Sequence, residues 1–426
     1  MIRCSLIAVG ILLAFFSHVV RAEDAAVDFS EATLTGDWGG MRTTAGQRGF
    51  NWEGGLKVDA LRNRGAQQNR ARSVSHLDLK LKMDLDKAFG WEGGSAMINV
   101  ISDAGRGLNA QDVVSHMGVT NLEVSAPTTT RIFHAWLQQS LLEDQLSILA
   151  GIYPVDSEFQ VVESAGLFVK PEYGPTAEFA LTRGPSIFNN AAFGVRTRLQ
   201  SADETLYAQW ALMDGVPNDP AHPKKTRIRF ARGDGAFNMV EVGWQPEADN
   251  ENFAGHAKLA AGWWAYTAKS DDQLDAANID AGNSAGPARQ YRQHGGYVLG
   301  ERSVWHFDEN RYATLFARYS WADGRSSPLR DTLSLGLHVK GPLAARADDL
   351  LGLAWSRAGT ASKWRDAQAV GETATAQAES ATELTYRYGV TPWFFIQPNY
   401  QYIRHPGGLN GVPASRILGA RFEFVL

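Results

Sequence analysis

Gly282 to Gly286 reads GNSAG and fits G-x-S-x-G, the frame that presents a nucleophilic serine in many hydrolases. The frame works only on a sharp turn from a strand into a helix. Here it lies in DAGNSAGPAR, a stretch of small residues with no helical pattern after it. The match therefore carries no nucleophile. Nine histidines follow residue 22, and none stands in H-E-x-x-H or in a close pair, so the spacing offers no zinc site. No Gly-Lys-Ser or Gly-Lys-Thr loop is present to cradle a phosphate. Carboxylates crowd several loops, but a glycosidase pair is defined by a separation in space that a sequence does not give. The residues point away from an enzyme, and no cofactor or metal is expected. One further constellation needs an explanation. LTGDWGGMRT, Leu34 to Thr43, gathers Asp37, Trp38, Gly39, Gly40 and Arg42, and its three glycines disfavour a helix or a strand.

The elements that must position such residues begin after a leader. Residues 1–22 carry Arg3, an apolar run from Leu6 to Phe16 and the ending Val20-Arg21-Ala22. That is the pattern of a cleaved signal peptide, and the run is short for an uncleaved spanning helix of ~20 residues. Cleavage removes Arg3 and Arg21 and no acid, taking the formal charge from −5 to −7. It also removes Cys4, the one cysteine, so no disulfide framework is available. The mild acidity argues against nucleic acid as a partner.

The remainder reads as strands. In HLDLKLKMDLD, His76 to Asp86, leucines and Met83 alternate with Asp78, Lys80, Lys82, Asp84 and Asp86. Period two with one apolar and one polar face is a β-strand. GLKVDALR repeats the pattern with Leu61 as an exception, and GVRTRLQ, ELTYRYG and RFEFVL repeat it cleanly. About sixteen such segments are predicted, near 51–62, 73–86, 93–103, 131–142, 146–153, 190–200, 204–213, 236–246, 253–267, 294–306, 311–321, 330–340, 349–358, 378–389, 392–404 and 415–426. Every other connection is short. The rest include long ones at 104–130, 154–189, 214–235, 268–293 and 359–377, with modest ones at 63–72, 322–329 and 405–414. Short turns on one rim and long loops on the other predict an all-β, antiparallel outer-membrane barrel. No ~20-residue apolar run follows Ala22, and a closed barrel is the other way to cross a bilayer. Trp52, Trp244, Trp305, Trp321 and Trp393 fall near strand ends, where a membrane interface favours aromatic rings. The chain thus divides into a signal peptide (1–22), an N-terminal periplasmic-side segment (23–50) and a transmembrane barrel (51–426).

LTGDWGGMRT resembles the N-terminal signature of the OprB-type carbohydrate-selective porins, and TPWFFIQPNYQYIRHPGG, Thr391 to Gly408, resembles their penultimate strand and the loop after it. HAWLQQSL, LAGIY and FNNAAFGVR resemble family segments less tightly. The resemblance implies a sixteen-stranded outer-membrane channel, trimeric, for passive uptake of sugars. Such barrels usually end in Phe, whereas this chain ends in Leu426, with Phe424 keeping the aromatic rhythm.

The resemblance further implies that the longest connection, Pro154 to Asn189, folds into the pore. It carries Asp156, Glu158, Glu163, Glu172, Glu178 and Arg183, with Phe159, Phe168, Tyr173 and Phe179. Lys80, Lys82, Arg196 and Arg198 fall on the polar side of their strands and should face it across the lumen, because charge on the lipid face costs ~2–4 kcal/mol at midplane. Carboxylates and guanidinium groups can bond sugar hydroxyls, and aromatic faces can cover a pyranose ring. Asp37 and Arg42 are close enough to pair, with Trp38 buried in the turn, as a structural plug or cap at the periplasmic mouth. The partners expected are carbohydrate solutes, outer-membrane lipid and two further copies of the chain. A general diffusion pore, a barrel-type hydrolase and an exported lectin-like β-protein remain as alternatives.

Overall fold

A computed structural model describes residues 29–124, 128–246, 257–308 and 310–426. The expected signal peptide lies outside the described residues. Sixteen strands form one sheet: β1 (Phe50–Arg64), β2 (Ala71–Asp84), β3 (Gly94–Gly105), β4 (Thr129–Leu141), β5 (Leu146–Tyr153), β6 (Ala192–Gln200), β7 (Leu206–Asp214), β8 (Ala236–Trp244), β9 (Ala257–Asp271), β10 (Gln290–Asp308), β11 (Arg311–Ala322), β12 (Leu329–Lys340), β13 (Leu350–Thr360), β14 (Ala378–Thr391), β15 (Phe394–Arg404) and β16 (Ser415–Val425). Each pairs antiparallel with its sequence neighbours, and β1 pairs with β16, so the sheet closes. Each of the sixteen strands expected from alternation is present.

Alternation sets the two faces. On β16, Leu418 is 64% exposed on the outside, while Ile417 and Arg421 are buried on the lumen side. Trp52, Trp244, Trp305 and Trp321 are exposed near strand ends, as the aromatic pattern predicts. Leu61, the exception in its strand, is explained by burial: it faces the lumen and packs with Leu108, Val113 and Ile417 beneath an inward-folded loop.

One detail of the strand forecast is corrected. β2 ends at Asp84 instead of residue 86, because Asp84 accepts a hydrogen bond from Lys87 N (3.0 Å) and caps the short helix Leu85–Phe89. Two of the long connections contain helices, Gln273–Asp280 and Ser362–Val370. The first is N-capped by Asp272, whose carboxylate accepts from Leu274 N and Asp275 N.

The glycine-rich N-terminal motif locks the barrel's two ends together. Arg42 donates to Leu426 O (3.0 Å), Trp52 O (2.8 Å) and Thr33 Oγ1 (3.2 Å), and Leu34 N donates to Val425 O (2.8 Å). Gly39 and Gly40, with φ of 68° and 90°, make the tight reversal that brings Arg42 inward. The expected Asp37–Arg42 pair is replaced by two separate anchors. Asp37 Oδ1 accepts from Thr43 N (2.8 Å) and Thr43 Oγ1 (2.9 Å), while Arg42 turns to the chain's last carbonyl. Trp38 is not buried either. It is 41% exposed and lies with its ring 5.4 Å from the Arg42 guanidinium. Leu426 is held from both sides, since its N donates to Gly54 O (2.9 Å).

Arg42→Ala removes bonds to two strand-end carbonyls, each worth about 1.5–3 kcal/mol when the donor is charged. The melting temperature of the refolded barrel should fall while its circular-dichroism spectrum stays β-rich. An unchanged melting temperature would contradict the locking role.

Candidate channel constriction

The 154–191 loop runs inside the barrel. It is built from four short helical turns, Val155–Ser157, Ser164–Leu167, Pro171–Tyr173 and Ala177–Ala180. So irregular a backbone leaves many N–H and C=O groups without local partners, and burying them unpaired would cost about 1–3 kcal/mol each. The wall supplies those partners. Glu301 on β10 accepts from Glu163 N and Ser164 N, both at 2.8 Å. Glu383 on β14 accepts from Val169 N (2.7 Å) and Lys170 N (3.1 Å). Glu241 on β8 accepts from Gln160 N (3.0 Å) and is itself held by Tyr207 and Tyr297 hydroxyls. For the carbonyls, Arg318 on β11 donates to Gln160 O (3.3 Å), Gly174 O (2.5 Å) and Glu172 O, Gln397 donates to Leu167 O (2.7 Å), and Lys258 to Val161 O (3.0 Å). Burial pushes the Glu172 carboxyl up to about 7, against the pull of Arg318.

Apolar contacts fill the space behind the loop. Phe159, Phe168, Tyr173 and Phe179 are almost wholly buried against Phe237, Trp264, Tyr266 and Phe316. These rings fill one side of the barrel. They are unavailable to cover a sugar, contrary to the sequence expectation. The segment 106–124, after β3, folds inward as well. Glu379 accepts from His116 N (3.0 Å), Met117 N (3.2 Å) and Ser115 Oγ, and Gln401 donates to Val119 O (2.9 Å). The two loops meet where Asn121 N donates to Val169 O (2.8 Å).

The residues singled out from sequence separate into three groups. Arg196 and Glu158 form a buried pair at 3.0 Å, with Arg196 also donating to Gln138 (2.6 Å) and Ser147 Oγ (2.5 Å). They bind loop to wall instead of presenting charge to a solute. Lys80, Lys82 and Arg198 face the lumen on the side of the short turns. Lys80 lies 3.2 Å from Asp78, Lys82 is 2.7 Å from Glu53, and Arg198 lies over the Tyr207 ring at 4.2 Å. Arg387, over Phe395 at 3.5 Å and 3.2 Å from Glu423, and Lys57, opposite Glu423 in the β1–β16 register, complete this basic girdle. The remaining loop residues stay apart from it. Arg183 donates to Lys269 O (2.7 Å) near the loop's exit, Glu163 accepts from Gln245 (3.2 Å), and Asp156 is half-buried. The GNSAG segment follows the helix Gln273–Asp280 and precedes β10, the reverse of the strand-turn-helix order a nucleophile needs. The wall glutamates Glu241, Glu301, Glu379 and Glu383 were missed. Alternation points them inward, but nothing local shows which backbone amides they meet.

A sixteen-stranded closed barrel narrowed by an inward-folded loop, with a charged lumen and an apolar outer belt, is a porin. The chain belongs to the family described as "Carbohydrate-selective porin, OprB family", which it matches over residues 68–426. It is 24% identical to Porin B of Pseudomonas aeruginosa over 433 residues, covering 95% of this chain and 94% of that one. Its fold matches the high-pH structure of Pseudomonas putida OprB with a TM-score of 0.82 at 20% identity, covering 93% of this chain and all of that one. An anion-selective porin from Comamonas acidovorans shares the fold more distantly, with a TM-score of 0.51 at 8% identity, over 88% of this chain and 99% of that one. Family and fold together make the chain an outer-membrane transport channel that passes carbohydrates.

Glu301→Ala with Glu383→Ala would strip acceptors from four loop amides. The barrel should still form, with single-channel conductance raised and its noise increased as the loop loosens. Conductance and noise equal to wild type would show that these carboxylates do not hold the constriction.

Proposed function

We propose that solutes pass by diffusion down their gradient and that the basic girdle orients the sugar. The observation that carries this reading is the preorganisation of those cations. Lys80, Lys82, Arg198 and Arg387 each have a neighbour on the wall that fixes the head group while leaving it partly accessible to the lumen. Fixed donors bond hydroxyls without first paying to order a flexible side chain. Sugar hydroxyls accept such bonds readily, and Arg offers two parallel donors. Arg196 and Glu158 act one step back, holding the loop against the wall. Arg183 and Asp156 belong to the outer approach, while Glu163 reaches towards the short-turn rim, where it meets Gln245. Asp37, Trp38, Gly39, Gly40 and Arg42 form a structural cap at the periplasmic mouth. The family resemblance supports assembly as a homotrimer, and the apolar belt supports residence in outer-membrane lipid. Export through a cleaved signal peptide at residues 1–22 completes the reading. A general pore, the second reading, would rely on width alone.

Liposome swelling separates the two. Sugars should enter wild-type proteoliposomes faster than non-sugar solutes of equal size. Lys80→Ala combined with Arg198→Ala should erase most of that preference, since each lost charged hydrogen bond weakens a contact by roughly tenfold. Entry rates ordered by size alone in both proteins would overturn the sugar-orienting role and leave a general pore.

A further inference from the structure

Four arginines stand on the outer wall of the barrel at the rim that carries the long loops. Arg62 and Arg64 are at the end of β1, Arg404 ends β15, and Arg416 is the second residue of β16. Their neighbours fix their direction. Leu61, Asn63, Ile403, Ser415 and Ile417 are all buried on the lumen side, so the alternating residues point outward, and all four arginines are exposed. Register brings them together. Arg64 lies directly opposite Arg416, Arg62 opposite Leu418, and Arg416 opposite Tyr402, two residues from Arg404. Adjacent strands are about 4.8 Å apart, so the patch is about 10 Å wide across β15, β16 and β1.

No carboxylate among the described residues forms an ion pair with any of the four. Elsewhere on this rim the pattern differs: Arg330 and Arg357, on β12 and β13, both bond Asp331, at 2.9 and 3.1 Å. Towards the bilayer centre the same wall turns apolar, with Leu418 and Tyr400 exposed and paired in register. An unneutralised cationic patch above an apolar wall matches an anionic lipid with its chains below. The long-loop rim of an outer-membrane barrel faces the outer leaflet.

We propose that Arg62, Arg64, Arg404 and Arg416 bind the phosphate groups of a phosphorylated glycolipid in the outer leaflet, whose acyl chains run down over Leu418 and Tyr400. Guanidinium forks bond phosphate oxygens in pairs, and four of them across three strands suit a head group with two phosphates. A zwitterionic phospholipid, whose own ammonium offsets its single phosphate, complements the patch less well. The site lies outside the lumen and is independent of solute passage.

The test titrates the purified, assembled protein in mild detergent with three probes, read by native mass spectrometry. The probes are bis-phosphorylated lipid A, the same glycolipid without its phosphates, and phosphatidylethanolamine. Replacing all four arginines by Gln should weaken lipid A binding about tenfold or more and leave single-channel conductance unchanged. The dephosphorylated lipid should bind the wild type no better than lipid A binds this variant. Replacing all four by Lys keeps the charge but not the fork and should fall between. If the Gln variant fails to fold, a clear loss in the Lys variant supports the site and none overturns it. Equal lipid A binding by wild type and Gln variant would overturn the proposal. So would phosphatidylethanolamine binding as tightly as lipid A. Dissociation of the Gln variant into single chains with lipid binding intact would overturn it too, and would make the patch a contact between copies.

Discussion

Closure of the sheet is the constraint on which everything else rests. In hydrocarbon no water bonds an unpaired backbone group, so a strand that crosses a membrane needs a neighbour on each side. The pairing of β1 with β16 supplies the last of these, running from Gly55↔Val425 to Arg64↔Arg416. The N-terminal segment then covers the seam where the two ends meet, with Arg42 on the final carbonyl and Leu34 N on Val425 O. A glycine-rich turn serves here because only a sharp reversal sends a guanidinium back to the chain's own terminus.

Closure creates a lumen, and the lumen creates the next requirement. A wide barrel conducts without discrimination unless something narrows it, and a chain inserted into it brings unpaired polar groups. This protein meets that need from the wall. Carboxylates on β8, β10 and β14 accept the loop's amides, and Arg318 takes its carbonyls. The packed aromatics behind the loop exclude water and strengthen those bonds. On the proposed reading, solute meets the girdle nearer the short turns, where each cation has a wall neighbour.

The barrel was legible because period two is written residue by residue. HLDLKLKMDLD and RFEFVL state both the element and its faces, and the alternation of short and long connections states the topology. The constriction was legible only in part. The length of 154–189 and the family likeness pointed to an inserted loop, but the partners within it are long-range. Glu158 meets Arg196 across 38 residues and Val169 meets Glu383 across 214. Sequence gave both members of the first pair the same task, facing the solute, when their proximity to each other removes them from it. The loop's aromatics misled for a related reason. A ring that could cover a sugar is equally suited to fill a barrel, and packing against Trp264 and Phe316 decides which it does. At the N-terminus, Asp37 and Arg42 are five residues apart, yet each has a better partner elsewhere.

The account stands most directly on one measurement: single-channel conductance of the purified protein in a planar bilayer, with glucose titrated into the salt solution. The account predicts a steady conductance that falls saturably as sugar occupies the girdle. A conductance that declines only in proportion to solution viscosity would contradict it, because the lumen would then hold no site for sugar.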